Sequence, residues 1–380
     1  MKKKNVDRAI VLVMLFLIAV MLFLPNRFEN PTYDAYDKVR CKVLEVDDRD
    51  VAYAGVVSYG EQVCLVQPLS GERKNQTFEA VNLLSGSLER DVFYEAGDQA
   101  LVLVYNGEND ASKATMIDHY RLHYEMLLVA IFVVLLIAFA GWKGLRAIVA
   151  FIFTALAIFK IMIPAILSGL NPILTGALIT ALTSAVIILM VYGAGMPFII
   201  ATLGSWAGTV LTAILALIFI RTLKINGAVI EGAESLFYAG FGHLDLTGVL
   251  ISSIFLASSG AITDVAVDIV SALEEIIEKK PHIGQWEAIR SGFVIGRNNA
   301  ATMTTTLLTA YSGGYLGMLM VFVAQGTPLI SILNLNSIAA EFLNTIIGSI
   351  GLTAVAPLTA LIGGTMLRRR HHGQQEQISE

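Results

Sequence analysis

The run MLLVAIFVVLLIAFA at residues 126–140 opens the stretch of sequence that decides the fold. From Leu127 to Ile220 the chain has only three charged residues, Lys143, Arg146 and Lys160, and no acid. Over all 380 residues, 55% are hydrophobic and 15% are charged, and the mean hydropathy is +0.67. An ordinary soluble domain has about 25% charged residues. This composition therefore excludes a soluble protein and predicts a membrane protein.

Apolar runs close to the roughly 20 residues needed to cross a bilayer recur along the chain. The first follows basic residues and has no small-residue cleavage site after it. We therefore interpret residues 1–25 as an uncleaved membrane anchor helix rather than a signal peptide. Together the runs predict eight transmembrane helices, at about Ala9–Leu24, Met126–Ala140, Ala147–Leu167, Pro172–Tyr192, Phe198–Ile220, Leu246–Ile262, Ala300–Val323 and Ser337–Met366.

Lysines and arginines indicate which helix ends face the cytoplasm, because cytoplasmic loops carry an excess of them. With eight helices, three later basic segments fall on the same side as the N-terminal lysines. Their residues are Lys143 and Arg146; Lys279, Lys280, Arg290 and Arg297; and Arg368, Arg369 and Arg370. We therefore predict a multi-pass protein of the cell membrane with both termini in the cytoplasm and a cytoplasmic tail at 368–380.

Residues 26–122 form a predicted soluble domain outside the cell. They contain ten Lys/Arg and 17 Asp/Glu, a net charge of −7 against −5 for the whole chain. Alternating or β-branched runs separated by turn signals predict strands at 39–46, 51–57, 62–66, 76–82 and 99–105. We expect a small extracytoplasmic β-barrel of OB-like class, followed by a seven-helix transmembrane domain at 123–367.

The two cysteines of the chain, Cys41 and Cys64, both lie in this β domain. In an oxidising exterior they can form a disulfide. Alternatively, they are two small buried residues, because strand alternation places both beside Val and Leu. The sequence leaves both interpretations open.

Small residues followed by carboxylates distinguish the segment Ala257–Asp268. Small side chains permit close helix approach, and Asp264 comes at the end of an apolar helix. At helical spacing, Asp264, Asp268 and Glu275 share one face. The sequence therefore predicts that the sixth helix leaves the membrane and continues as a cytoplasmic amphipathic helix at about 264–280. These carboxylates either face water or, where they lie within the hydrocarbon, mark a functional site.

A second polar cluster opens the next long helix. Its members are Arg297, Asn298, Asn299, Thr302, Thr304 and Thr305. A short cytoplasmic segment connects this cluster to the carboxylates of the preceding helix. The two groups of residues therefore lie at the same membrane depth and can contact each other. With Arg297 beside it, Asp264 stays ionised. With Arg297 turned away, burial makes Asp264 a proton carrier, and Asp268 belongs to the same coupling site.

Lys160 lies inside an apolar helix, near Pro164. Its ammonium group can extend to the outer headgroups. It can also form an ion pair with Glu341 at the outer end of the last helix. Both interpretations are retained.

At these residues the sequence resembles the YibE/F family of bacterial multi-pass membrane proteins. The pattern consists of Gly260-Ala-Ile-Thr-Asp-Val-Ala266, Ser271–Ile276, Gly296-Arg297 and Thr302-Met-Thr304. Two family positions that are commonly Asp and Asn are Asn298 and Thr305 here. The resemblance covers nearly the whole chain and implies an anchor, an exterior β domain and a transporter with no settled substrate.

A weaker resemblance, over about 50 residues, is to SecD/SecF and other RND-type proteins. An acidic helix runs into a charged amphipathic helix at Ile262–Glu275 and then into a Thr-rich helix at Thr304–Thr306. Some RND-type members couple proton movement to transport. The resemblance implies that Asp264 is the proton-responsive carboxylate, with Arg297 and the threonines as its partners.

Two functions of different class follow. The first is a membrane transporter, proton-coupled through Asp264, which moves an unknown small solute or exported substrate. Gly/Pro breaks at 169–172, 193–197 and 313–317 are of the kind that unwind helices around a transport site. The second is a non-catalytic scaffold or assembly factor that binds a partner through its exterior barrel.

The sequence predicts neither an enzyme nor a metal or cofactor site, because HExxH and Walker A motifs are missing. The net charge of −5 argues against nucleic-acid binding. The bilayer is the predicted partner. Small residues at 348–351 and 363–364 permit a homodimer or a partner membrane protein, and equally permit packing within one chain.

Overall fold

A computed structural model describes residues 2–25, 28, 36–71, 73–74, 76–105 and 114–379, without the side chains of 2–5 and 368–379. The chain divides into two compact units. One comprises Asn26–Leu136 and contains the β domain. The other comprises Met1–Pro25 together with Ile137–Glu380 and contains most of the helices. The N-terminal lysines and Arg368–Arg370, on which the predicted topology partly depends, have side chains outside the described part.

The β domain is a closed barrel of five strands: β1 Tyr36–Ala54, β2 Val57–Pro68, β3 Phe78–Ser85, β4 Gln99–Tyr105 and β5 Ala114–His119. The strand order β1-β2-β3-β5-β4 closes because β4 pairs back with β1. The β3–β5 pair is parallel and the other pairs are antiparallel. The small β-barrel predicted from the sequence is confirmed.

Two of the predicted strands are not separate. The runs at 39–46 and 51–57 lie mostly on β1, which continues through the polar residues between them by means of register shifts between Val43 and Glu45 and between Asp47 and Asp50. Bulges of this kind accommodate extra residues and bend the strand, as closure of a small barrel requires. The fifth strand, β5, falls outside all five predicted runs.

Side chains that alternate inward along the strands fill the barrel, among them Cys41, Val43, Cys64 and Val66. A buried amide pair crosses this interior. Asn82 Nδ2 donates to Gln62 Oε1 at 3.0 Å, and that oxygen also accepts from the Tyr94 backbone N–H at 3.1 Å. Because buried amides are costly without partners, these bonds fix the segment around Tyr94 across the barrel.

The helical elements are α1 Lys2–Phe23, α2 Leu122–Leu156, a π-helix Ala157–Met162, α3 Ile163–Leu167, α4 Pro172–Tyr192, α5 Met196–Thr222, a 3₁₀ turn Gly227–Val229, α6 Ala233–Leu236, a π-helix Phe237–Phe241, α7 Leu246–Lys279, α8 Gln285–Gly314, α9 Leu316–Ala324, α10 Leu329–Asn334 and α11 Asn336–Ser379. Local chemistry sets several helix starts. Asn171 and Asp245 accept backbone N–H bonds as N-caps of α4 and α7.

Among the residues that the structure describes, six helices are long and apolar enough to cross a membrane, or seven if the bent pair α8–α9 is one span. The sequence predicts eight. The difference from seven lies in Leu122–Leu167, which is one continuous apolar segment in the structure but is predicted from the sequence as two spans. Gly141 interrupts that segment with φ 54°, at the boundary between the predicted second and third spans. The chain is therefore mostly helical with several apolar helices, and eight spans stay a prediction.

Helix α7 lies at the centre of the helical unit and packs against α4, α5, α8 and α11. Its buried face carries fully buried side chains such as Ile262, Ile269 and Leu273. Its second turn contacts Pro172 at the start of α4 through Ser252, and its last buried residue is Ile277. This central helix also carries the two predicted coupling carboxylates.

Candidate functional site

Asp264 and Asp268 lie one turn apart on the exposed side of α7. The same side carries Ser253, Ala257 and Gly260, which are also exposed, and a Cβ built at Gly260 would meet no atom within 4 Å. We call these five residues the acidic stripe. Small side chains leave the helix surface open on approach to the carboxylates, so the stripe can admit a ligand, water or another helix.

Helix α4 fixes how deep the acidic stripe lies in the bundle. Ser252 Oγ donates to the Pro172 carbonyl at 2.6 Å, at the first residue of α4. At the last residue of α4, the Tyr192 hydroxyl donates to the Val267 carbonyl at 2.5 Å and lies 2.6 Å from Ser271 Oγ. A helix of 21 residues is about 31 Å long, close to the roughly 30 Å of bilayer hydrocarbon. Asp264 lies on α7 between the two residues that contact the ends of α4, Ser252 and Val267. Along the helix axis it is therefore within the segment of α7 that runs beside α4.

One member of the predicted polar cluster reaches the stripe. Asn299 on α8 donates from Nδ2 to Asp268 Oδ2 at 3.1 Å. The Asp264 side chain forms no ion pair or hydrogen bond within the described part of the chain. Its charge is therefore uncompensated in this conformation, which is costly within a bilayer.

Arg297 does not meet either carboxylate. It is two residues from Asn299, which is a rotation of about 200° around an α-helix, so the two side chains leave opposite sides of α8. Arg297 instead lines a groove between α8 and α11, together with Arg290. Of the two arrangements considered from sequence, the structure has the one with Arg297 turned away from Asp264.

The remaining cluster residues bond locally or face outward. The hydroxyls of Thr302 and Thr304 donate to the backbone carbonyls of Asn299 and Ala300, at 3.0 and 2.8 Å. Asn298 and Thr305 are exposed. Thr305 shares a shallow surface with other α8 threonines: Thr302, Thr306 and Thr309. These residues give α8 a hydroxyl-bearing exterior but do not contact Asp264 or Asp268.

Glycines of α8 and α11 bring these two helices close together. A Cβ built at Gly296 would lie 2.8 Å from Ala356 Cβ and 2.9 Å from Ile269 Cδ1. One turn earlier, a Cβ at Gly292 would lie 2.9 Å from Ala360 Cβ. The helices therefore need these glycines to approach as they do, and this contact sets the rotation of α8 that points Asn299 at Asp268.

The glycines considered for a dimer surface are used within the chain. A Cβ at Gly348 would meet Ser258, and a Cβ at Gly351 would overlap Thr212. At the other end of α11, Gly363 and Gly364 approach Leu273 and Ile289 in the same way. These glycines therefore serve packing within the chain, and a homodimer or a partner membrane protein stays a prediction.

Lys160 and Glu341 have different partners. Lys160 Nζ donates to the Leu24 carbonyl at 3.2 Å, just after the last residue of α1, and a cation is favourable at a helix C-terminus. Glu341 accepts a hydrogen bond from the Tyr315 hydroxyl at 2.9 Å. An ion pair between Lys160 and Glu341 is not among the described contacts.

Cys41 and Cys64 are free thiols buried inside the barrel. Burial raises the pKa of Cys41 to about 12 and that of Cys64 to about 11. Neutral thiols in this position behave as small apolar side chains. The structure corresponds to the packing interpretation of the two cysteines rather than to the disulfide.

Arg146, which in the sequence marks a cytoplasmic helix end, is a buried cation in the structure. It is 6% exposed, and its Nη2 donates to the Leu189 carbonyl in the last turn of α4 at 3.1 Å. Its Nε has no hydrogen-bond partner among the described residues. The spacing of the sequence gives no signal for this burial, because Arg146 follows Lys143 at an ordinary helix end.

Within the described part of the chain, no group of three or more His, Cys, Asp and Glu residues is placed to hold a metal ion. Residues 128–369, which include α7, α8 and the acidic stripe, match the YibE/F-like protein family. The chain belongs to the YibE/F-like family. Its apolar helices and this membership make it a multi-pass membrane protein.

No curated protein and no solved structure matches this YibE/F-like chain. Nothing in the comparisons therefore supports the weaker resemblance to SecD/SecF and RND-type proteins. The β domain, whose last strand ends at His119, precedes the matched segment, so the family match rests on the helical part.

Proposed function

We propose that this YibE/F-like protein is a membrane transporter whose coupling group is the Asp264 carboxylate, with Asp268 as its neighbour. The observation that carries the proposal is the placement of Asp264 within the length covered by α4 and without a compensating cation. An ionisable residue at such a depth is costly and is retained where it serves a pathway or a proton relay.

The neighbourhood of Asp264 supports exchange of a proton or cation. Asp268, one turn away, adds a second carboxylate, and simultaneous ionisation of both is unfavourable through their mutual repulsion. Asn299 donates a hydrogen bond to Asp268 across the contact between α8 and α7. The two carboxylates are therefore placed differently, with Asp268 partnered and Asp264 open to a ligand.

The small residues of the acidic stripe give access to Asp264. Ser253, Ala257 and Gly260 leave α7 uncovered on the same side. A row of small residues ending in an uncompensated carboxylate is suited to a path along the helix. The solute and the direction of movement do not follow from this arrangement.

A hydrophobic carbodiimide tests the state of Asp264 without knowledge of the solute. Such reagents enter the bilayer and form a stable adduct with protonated carboxyl groups. We expect the full chain in lipid vesicles to be modified at Asp264, with modification decreasing as pH rises. Glu278, exposed near the end of α7, is the matched control and should stay unmodified.

Equal modification of Asp264 and Glu278, or none at Asp264 over the pH range, would remove the coupling role. The scaffold alternative then becomes the better explanation. Its own signature is loss of the cellular phenotype on deletion of residues 30–120, with the phenotype unchanged in Asp264→Asn.

A further inference from the structure

Arg290 and Arg297 of α8 line one groove between α8 and α11, on the side of α8 away from Asp268. The two residues are seven positions apart, so they leave the same face of the helix about 10 Å apart. Arginine side chains of this length can converge on one anion. Thr304, a further seven residues along, continues the same line.

The rest of the groove is apolar. Its walls include Phe293, Ala301, Ala356 and Pro357, and its volume is about 660 Å³. A volume of this size holds part of a lipid or another amphiphile. Along α8, the groove therefore has Arg290 at one end and Arg297 halfway along, with apolar side chains around both.

Neither arginine forms an ion pair within the part of the chain whose side chains the structure describes. Glu287, one turn before Arg290 on α8, is already engaged, because it binds Lys280 at 2.6 Å. Two guanidinium groups in one groove repel each other unless an anion lies between them.

We propose that this groove binds the phosphate of an anionic phospholipid, with its acyl chains along the apolar wall. The charge complementarity selects an anion, and the planar guanidinium forks match phosphate oxygens. The apolar wall selects a lipid over a soluble phosphate. On the predicted topology the arginines lie on the cytoplasmic side, where basic grooves between membrane helices meet anionic headgroups.

The site does not depend on the proposed transport function, because Arg290 and Arg297 do not contact the acidic stripe. Ala356 of α11, which Gly296 approaches closely, is one of the residues that line the groove. Lipid bound there would hold α8 and α11 at the spacing that this glycine sets.

Thermal unfolding of the full chain in a neutral detergent tests the site. The probes are phosphatidylglycerol, phosphatidylcholine with the same acyl chains, and glycerol 3-phosphate. We expect phosphatidylglycerol at saturation to raise Tm by roughly 5 °C and the other two to change it little. Native mass spectrometry should show a retained phosphatidylglycerol molecule.

The double variant Arg290→Ala/Arg297→Ala should lose this shift. Arg221→Ala, which removes an exposed arginine from the last turn of α5, should keep it. Should the alanine variant aggregate, Arg290→Lys/Arg297→Lys retains both charges and is expected to show a reduced shift, because lysine lacks the bidentate fork.

Three results would overturn the lipid site. Equal shifts with phosphatidylcholine would mean that the apolar wall binds lipid without the arginines. Equal shifts with glycerol 3-phosphate would mean a site for a soluble phosphate. A full shift retained in the alanine double variant would place the lipid elsewhere on the protein.

Discussion

The amide of Asn299 donates to the carboxylate of Asp268 at 3.1 Å and so joins α8 to α7 beside the acidic stripe. Two residues earlier on α8, Arg297 leaves the opposite side of the helix. One side of α8 therefore faces the carboxylates of α7, and the opposite side lines the groove between α8 and α11.

Asn299→Asp should destabilise the protein at neutral pH. The substitution places a second carboxylate against Asp268, and a donor becomes an acceptor. Because Asp268 is exposed and Asn299 is only half-buried, we expect a loss of up to about 1 kcal/mol in the free energy of unfolding, the range for exposed charge pairs. Thermal unfolding in detergent at pH 8 and pH 5 measures it, and the loss should shrink at the lower pH because a protonated carboxyl can donate.

Asn298→Asp is the matched control, since it adds the same charge one residue away on an exposed position. Its Tm should stay near that of the wild type at both pH values. If the two variants behave alike, the Asn299–Asp268 contact has no role in joining the helices.

Asp264→Asn should abolish proton movement while leaving the fold intact, because the amide cannot exchange a proton. The full chain in liposomes with an imposed pH gradient and a luminal pH dye provides the measurement. We expect Asp264→Asn to match empty liposomes and Glu278→Gln to match the wild type. Wild-type rates in Asp264→Asn would contradict proton coupling through this residue.

The positions of the site residues on their own helices are predictable from local sequence. Which α8 side chain contacts the carboxylates of α7 is not. Helical periodicity places Asp264 and Asp268 on one face, and the structure has them there. The same periodicity, applied to α8, separates Arg297 from Asn299 by about 200°, so both cannot face one carboxylate. Which of them does so depends on the rotation of α8, and that rotation is set by Gly296 against Ala356, a contact about 60 residues apart in sequence.

The barrel shows a similar limit. Alternation predicts most of its strands, and the five-stranded barrel is confirmed. The polar residues between Asp47 and Asp50 have the composition of a turn, yet β1 passes through them because β2 supplies backbone partners on both sides of the bulge. Strand β5 is short and gains its place from pairing with β3 and β4, which a single segment cannot reveal.

Gly296→Ala should destabilise the helical unit, whereas Gly260→Ala should not. A methyl group at Gly296 meets Ala356 and Ile269 at under 3 Å, and one at Gly260 meets nothing within 4 Å. Overpacking of this kind costs typically about 1–3 kcal/mol. Both variants gain the same helix propensity, so a difference in Tm between them reports the α8–α11 approach. Equal Tm values would contradict tight packing at Gly296.

The two barrel thiols should resist alkylation in the folded protein. Burial raises the pKa of Cys41 to about 12 and that of Cys64 to about 11, so at pH 8 neither is a thiolate, the form that reacts. Iodoacetamide should leave the native chain unmodified and add two groups per chain after denaturation without reductant. A denatured chain that still takes none would instead contain the disulfide.

The raised pKa values of the two thiols also determine how the stability of the protein changes at alkaline pH. The folded thiols keep their protons above the ordinary cysteine value of about 8.5, so the folded state binds more protons than the unfolded chain between that pH and about 11 to 12. Their contribution to stability is complete below about pH 8.5 and decreases as pH rises through this window. Cys41→Ala/Cys64→Ala should therefore show a weaker loss of Tm between pH 8 and pH 11 than the wild type. An identical alkaline loss in both would mean that other groups in the chain govern it.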